Sequence, residues 1–206
     1  MCQRRRNLQI LDSSDKFHCS VLKGRYSVLL FLLKNEYIDT SIQKAGVPGF
    51  SGCLEHNTVI TELIREAKED KGNLATVWLD LANAYGSVPH RLIERAMTQY
   101  HIPDNIQDII RRYYNNIKVR FTIRSFTTKF QHLDKGIVTG CTVSVILFVM
   151  AINLKIKFAE KEGRGPLSRS GIRQPSIRAF MDDMAVMTTR GMSAHWIIRK
   201  LDETIE

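Results

Sequence analysis

No run of apolar residues in this chain is long enough to cross a bilayer. The most hydrophobic stretch, YSVLLFLLKNEYI (26–38), is closed by Lys34, well short of the roughly 20 residues a spanning helix needs. The basic start, MCQRRRNLQ, is not followed by a long apolar segment, so it does not read as a secretory signal; Arg4-Arg5-Arg6 is at most a short nuclear address. Cysteine is scarce: Cys2, Cys19, Cys53 and Cys141 have no CxxC spacing, which excludes the usual zinc and disulfide frameworks and fits a reducing compartment. The histidines His18, His56, His90, His101, His132 and His195 show no paired ligand spacing and are assigned no role. These absences predict an intracellular protein, nuclear or cytoplasmic, with no membrane partner.

What is present is a chain of 206 residues, 44% hydrophobic, enough for one good core. Thirty Lys and Arg against 21 Asp and Glu leave a formal charge of +9, and the pI is near 9.5. That balance favours polyanionic partners, nucleic acid above all.

Residues 1–19 are polar and mixed and read as poorly ordered. Periodicity predicts a helix over 20–35, a loop at QKAGVPGFSGC (43–53), and a helix in EHNTVITELIREAKEDKG (55–72) stopped by Gly72. NLATVWLDL (73–81) reads as a buried strand with Asp80 at its C-terminal end. Two helices open near Pro89 and Pro103. KVRFTIRSFTTKFQHL (118–133) alternates as two strands joined at Arg124-Ser125. A glycine-containing loop then precedes a strongly apolar helix over 143–161. SIRAFMDDMAVMTT (176–189) reads as a hairpin with Asp182 and Asp183 at its tip, and a final amphipathic helix has Ser193 as candidate cap. The Tyr113-Tyr114 pair in the basic IRRYY offers either a stacking surface for nucleic acid or, more commonly for such a pattern, a helix face packed on the core.

From residue 74 the order resembles a split β-α-β-β-α-β arrangement, an α+β, ferredoxin-like sheet with helices on one face. There the first and last motif strands lie side by side at the centre, so that Asp80 meets Asp182. A carboxylate pair in a turn is ordinarily solvated turn chemistry. Opposed on rigid strand ends, the same pair suits Mg²⁺, which is held by one or two carboxylates plus substrate phosphates. Two such ions about 3.5–4 Å apart serve in-line phosphoryl displacement.

Four blocks carry a resemblance to reverse transcriptases, especially those of non-LTR (LINE-like) retrotransposons. VWLDLANAYGSVPHRLI (77–93) is similar to the family's first palm motif, KGIVTGCTVSVILFVMAIN (135–153) to its glycine loop and helix, and AFMDDMAV (179–186) to its YADD or FADD hairpin. IQKAGVPGFSGCLEH (42–56) resembles the finger segment that precedes the palm, and the likeness runs from about residue 25 to the C-terminus. The resemblance implies a polymerase palm over 74–206 with partial fingers over 20–73. It implies RNA-directed DNA synthesis with two Mg²⁺ or Mn²⁺ ions on an RNA template, a DNA primer and dNTPs. Asp80, Asp182 and Asp183 match the catalytic, metal-holding carboxylates, and Leu81 lends its carbonyl to a metal. Tyr85 matches the aromatic beneath the incoming sugar, where it would reject a 2′-hydroxyl. Gly136 and Gly140 match the loop that lets the backbone approach a base or sugar, and Ser144 and Phe148 match the start of the supporting helix.

The chain departs from the family at several points. Gly86 stands where many relatives carry a second aspartate, Val138 and Thr139 replace Pro-Gln, Val145 replaces a proline, and Met181 replaces an alanine. AGVPGFSG lacks the finger arginine that meets the triphosphate, and Lys44 does not match its position. The likeness stops in the helix after the hairpin, so the expectation is a truncated domain with the thumb missing. Two alternatives stay open: an inactive retroelement-derived remnant that binds nucleic acid or is structural, and a nucleotide-cyclase-like palm.

Overall fold

The structure, a computed structural model, describes residues 8–10, 28–46, 49, 52–141 and 143–203. At its centre is a three-stranded antiparallel sheet in the order β2 (Ala75–Leu79), β7 (Asp183–Thr188), β6 (Ile177–Phe180). In β7 the residues from Met184 to Thr188 are all buried, because MAVMT is apolar on consecutive positions and suits a strand covered on both faces. Met184 and Val186 look into the main core with Ile177 and Ala179 of β6. That core is built on α6 (Ser144–Ala159), α4 (His90–Gln99) and α7 (Gly191–Glu203). Thirteen of the 16 residues of α6 are buried, which makes it the hub helix. Ala185 and Met187 look the other way, under Ile60 and Leu63 of α2 (Leu54–Glu69).

The helical segment 28–34 (α1) joins the main core through Leu29 and Leu32. Just beyond it, Tyr37 stacks on Tyr100 at 5.5 Å, and Asn153 Nδ2 donates to Tyr37 O at 2.8 Å and to the Tyr100 hydroxyl at 2.9 Å. Residues on both sides of position 74 thus share one interior. The short α3 (Ala84–Ser87) and α5 (Asp104–Asn116) complete the helices.

The structure corrects the expected topology in several respects. The hairpin of β3 (Lys118–Ile123) and β4 (Phe126–Thr127) does not join the sheet of β2. It forms a second sheet with β5 (Gln131–His132) and with β1 (Leu8–Ile10), the latter inside a segment expected to be poorly ordered. One reason is that the outer edge of β6 is already taken: Ala179 N–H donates to Ile42 O at 2.8 Å, and Gln43 bridges Ala179 in parallel. β2 is therefore an edge strand rather than a central one, and Trp78 is 65% exposed. Helices lie on both faces of the sheet, since α2 covers the side opposite α6. The stop of α2 comes at Asp70, with the left-handed residue at Lys71 (φ 51°) rather than Gly72. The final helix starts at Gly191, which puts Ser193 inside its first turn. The Arg4–Arg6 stretch and the expected helix over 20–27 lie outside the described residues. Among the described residues no helix is long and apolar enough to cross a membrane.

α2 is keyed to β6 by a buried polar pair. His56 is 4% and Arg178 6% exposed. Arg178 Nη1 donates to His56 Nδ1 at 3.2 Å and to Ser41 O at 3.2 Å, while Nη2 donates to Gln174 Oε1 at 2.6 Å. With Nδ1 accepting, the neutral ring donates from Nε2 to Ala179 O at 3.1 Å. Burial first, then the Arg178 charge, hold the His56 pKa below its ordinary 6.5. The stability contributed by neutral His56 is therefore present above pH 6.5 and lost as pH falls through the lowered folded value. Urea midpoints measured between pH 7.5 and pH 5 should fall for the wild-type chain and fall less for His56→Ala. At pH 7.5 that variant should already be about 1–3 kcal/mol weaker, because Arg178 Nη1 and Ala179 O each lose a buried partner and keep only one other.

Candidate active site

The β2–β7 register runs from Ala75↔Thr188 to Leu79↔Met184. Carried one residue further, it sets Asp80 opposite Asp183. Phe180 pairs with Asp183 across the β6–β7 hairpin, which leaves Met181 and Asp182 as a two-residue turn. All three aspartates thus lie at one end of one sheet. The expected tip is adjusted in detail: Asp182 sits in the turn and is half-buried, whereas Asp183 is the exposed first residue of β7. Asp80 is exposed just past β2, and Leu81 behind it packs on the main core.

Tyr85 is half-buried beside this end. Its ring stacks on Phe148 at 4.7 Å with 13° between planes. Burial, and then the charge of Asp182, push its hydroxyl pKa above the ordinary value, so ring and carboxylate share one electrostatic neighbourhood. Its backbone is held too, since Ile137 N–H donates to Tyr85 O at 2.7 Å. Nearby, Gly136 N–H donates to Val88 O at 2.8 Å, and the Ser144 hydroxyl donates to Val138 O at 2.6 Å. The glycine loop is thereby tied both to the segment after β2 and to the first turn of α6.

The two loop glycines differ. Both are left-handed, Gly136 at φ 94° and Gly140 at φ 91°. Gly136 is buried, and a β-carbon there would lie 2.9 Å from the Cα and carbonyl oxygen of Gly86. Its missing side chain serves that internal contact. Gly140 is exposed with open space around it. Gly86 in turn leaves room for the Asn83 side chain, which would have to move for any side chain at 86.

The donor set is all oxygen. No ion pair among the described residues involves Asp80, Asp182 or Asp183. Among the described residues no three His, Cys, Asp or Glu side chains form a metal cage. Carboxylate oxygens are the donor type that a hard divalent cation takes. They do not fit a structural zinc site.

The family described as Reverse transcriptase (RNA-dependent DNA polymerase) matches residues 24–206. The chain belongs to this family. Curated relatives include Pol polyproteins of the type-1 retrotransposable element R2: one from Bradysia coprophila is 27% identical over 91% of this chain, and one from Nasonia vitripennis 25% identical over 69%. The chain spans only 21% and 14% of those two proteins' lengths. Among solved structures, an apo telomerase from Candida tropicalis truncated from its C-terminal domain superposes with a TM-score of 0.54. It covers 87% of this chain and 36% of the telomerase chain at 13% identity, a likeness of fold. The motif-based expectation of a non-LTR retrotransposon reverse transcriptase domain is met, and the cyclase-like alternative falls with it.

Sequence reasoning missed Gln43, His56 and Arg178, the buried polar residues that seat the aspartate hairpin. Gln43 and His56 lie in the finger-like stretch already quoted, but nothing in their spacing marked them. The glycine pair gives a direct check on the loop. Gly136→Ala should cost about 2–3 kcal/mol and Gly140→Ala only about 1 kcal/mol in urea unfolding, since both carry backbone strain and only the first adds a collision.

Proposed function

We propose that this chain carries out RNA-directed DNA synthesis, extending a DNA primer on an RNA template with dNTPs. The observation that carries the reading is the β2–β7 register, which opposes Asp80 to the Asp182-Asp183 hairpin beside Tyr85. In this reading residues 20–73 act as partial fingers and 74–206 as palm. Asp80 and Asp182, with Asp183 and the Leu81 carbonyl, would hold two Mg²⁺ or Mn²⁺ ions. Such ions, when bound, favour ionisation of the primer 3′-hydroxyl and stabilise charge on the departing pyrophosphate. The bond formed joins the primer O3′ to the α-phosphorus; the bond broken is the α–β bridging P–O, and the hydroxyl proton leaves to water. The chain's own contribution is placement: strand ends hold the carboxylates, and Tyr85, backed by Phe148, offers a flat floor for the deoxyribose. Gly140, exposed and open, is the loop position that admits close backbone approach to a base or sugar.

A second reading, a non-catalytic remnant, draws on Lys44. It is 8% exposed and ion-paired with Glu55, so the cation nearest the missing finger arginine is already engaged inside the protein. Primer extension on poly-rA/oligo-dT separates the two readings. Polymerisation should require Mg²⁺ or Mn²⁺, and Asp182→Asn should lower kcat by about 10²–10³-fold. No extension by either folded protein would support the remnant. In an active chain, Tyr85→Ala should raise the use of rNTP relative to dNTP by about 10–10²-fold, read as the ratio of kcat/KM values.

A further inference from the structure

The residue just before Asp182 is held by a side chain more than a hundred positions earlier. Gln43 has 0% exposure. Its Oε1 accepts from Met181 N–H at 3.1 Å and from Ala45 N–H at 3.0 Å, and its Nε2 donates to Met181 O at 3.4 Å. One amide therefore closes on both backbone groups of Met181 while also pinning its own segment.

Met181 needs such a holder. Its φ is 60°, a left-handed conformation uncommon for a residue with a bulky side chain. In two-residue hairpin turns the positions with positive φ are usually glycine, asparagine or aspartate. The local sequence FMDD thus does not favour the turn that the chain adopts. The surroundings do: Ile42 and Lys44 hydrogen-bond the backbone of Ala179 on the edge of β6, and from that strap the Gln43 side chain reaches the end of the hairpin. Both lone pairs of Oε1 are engaged, which fixes the amide's orientation.

We infer that Gln43 is the positioning residue of the aspartate hairpin. It sets the left-handed backbone at Met181 and, through it, the direction in which the Asp182 carboxylate leaves the sheet. The functional half of this inference rests on the proposed role of Asp182 as a metal-holding carboxylate.

Gln43→Met keeps the volume and removes the hydrogen bonds. Gln43→Asn keeps an amide one methylene too short to span Met181, and replaces the first variant if that one does not fold. On the full chain without metal, native-state hydrogen exchange at Met181 should accelerate by about tenfold or more while α6 amides stay unchanged. Mn²⁺ binding, followed by the loss of the free-ion electron paramagnetic resonance signal, should weaken. In primer extension kcat should fall by about 10–10²-fold, with the KM for dNTP within about twofold of wild type. Unchanged exchange at Met181 overturns the inference. So does faster exchange accompanied by wild-type Mn²⁺ affinity and wild-type kcat, which would leave Gln43 a filler of the interior. A wild-type chain that neither binds Mn²⁺ nor extends a primer refutes the proposed function instead, and the exchange measurement still decides whether Gln43 sets the turn.

Discussion

Everything at the candidate site depends on β7 being enclosed on four sides. Both its edges are paired, by β2 and β6, and both its faces are covered, by α6 and α2. A register slip of one residue would exchange Met184 and Val186 with Ala185 and Met187 across the sheet. The two interiors are of unequal size, the α2 side holding a small cluster and the α6 side the main core, so the exchange would overfill one and leave gaps in the other. Complete burial of such side chains is worth about 1.5–3 kcal/mol each, and that penalty locks the register. Since Asp183 begins β7 and Asp80 follows β2, the lock on the register is also the lock on the carboxylates.

Buried polar contacts tie residues 43–56 to this sheet. Gln43 holds Met181, and His56 and Arg178 seat α2 on β6. Buried hydrogen bonds of this kind are costly to break one partner at a time. They add direction where the apolar contacts supply only cohesion. Residues 42–45 thereby hold the backbone on which Asp182 sits.

The second wall of the site is made by close backbone packing. Gly136 lies against Gly86, and the Ile137 and Gly136 amides bind the backbone of Tyr85 and Val88. Tyr85 is thus fixed from behind by a loop and from below by Phe148. The absence of a side chain at Gly86 is matched by Asn83 filling the same space.

The sequence by itself determined the elements and the family. Periodicity found α2, α4, α5, α6 and the β6–β7 hairpin, and the order of three motifs identified the reverse transcriptase family. These signals are local: apolar spacing, glycine and proline punctuation, and acid residues at strand ends are all written within a few neighbouring positions. Tertiary structure decided which strand became central, which edge β2 occupies, and that the β3–β4 hairpin leaves for its own sheet, because an apolar run such as ATVWL satisfies an edge or a centre alike. It also decided which glycine is internal and which is open, and which polar residues hold the turn. Gln43 and Met181 are neighbours only once β6 has taken Ile42 to Lys44 along its edge, and no spacing along the chain encodes that contact.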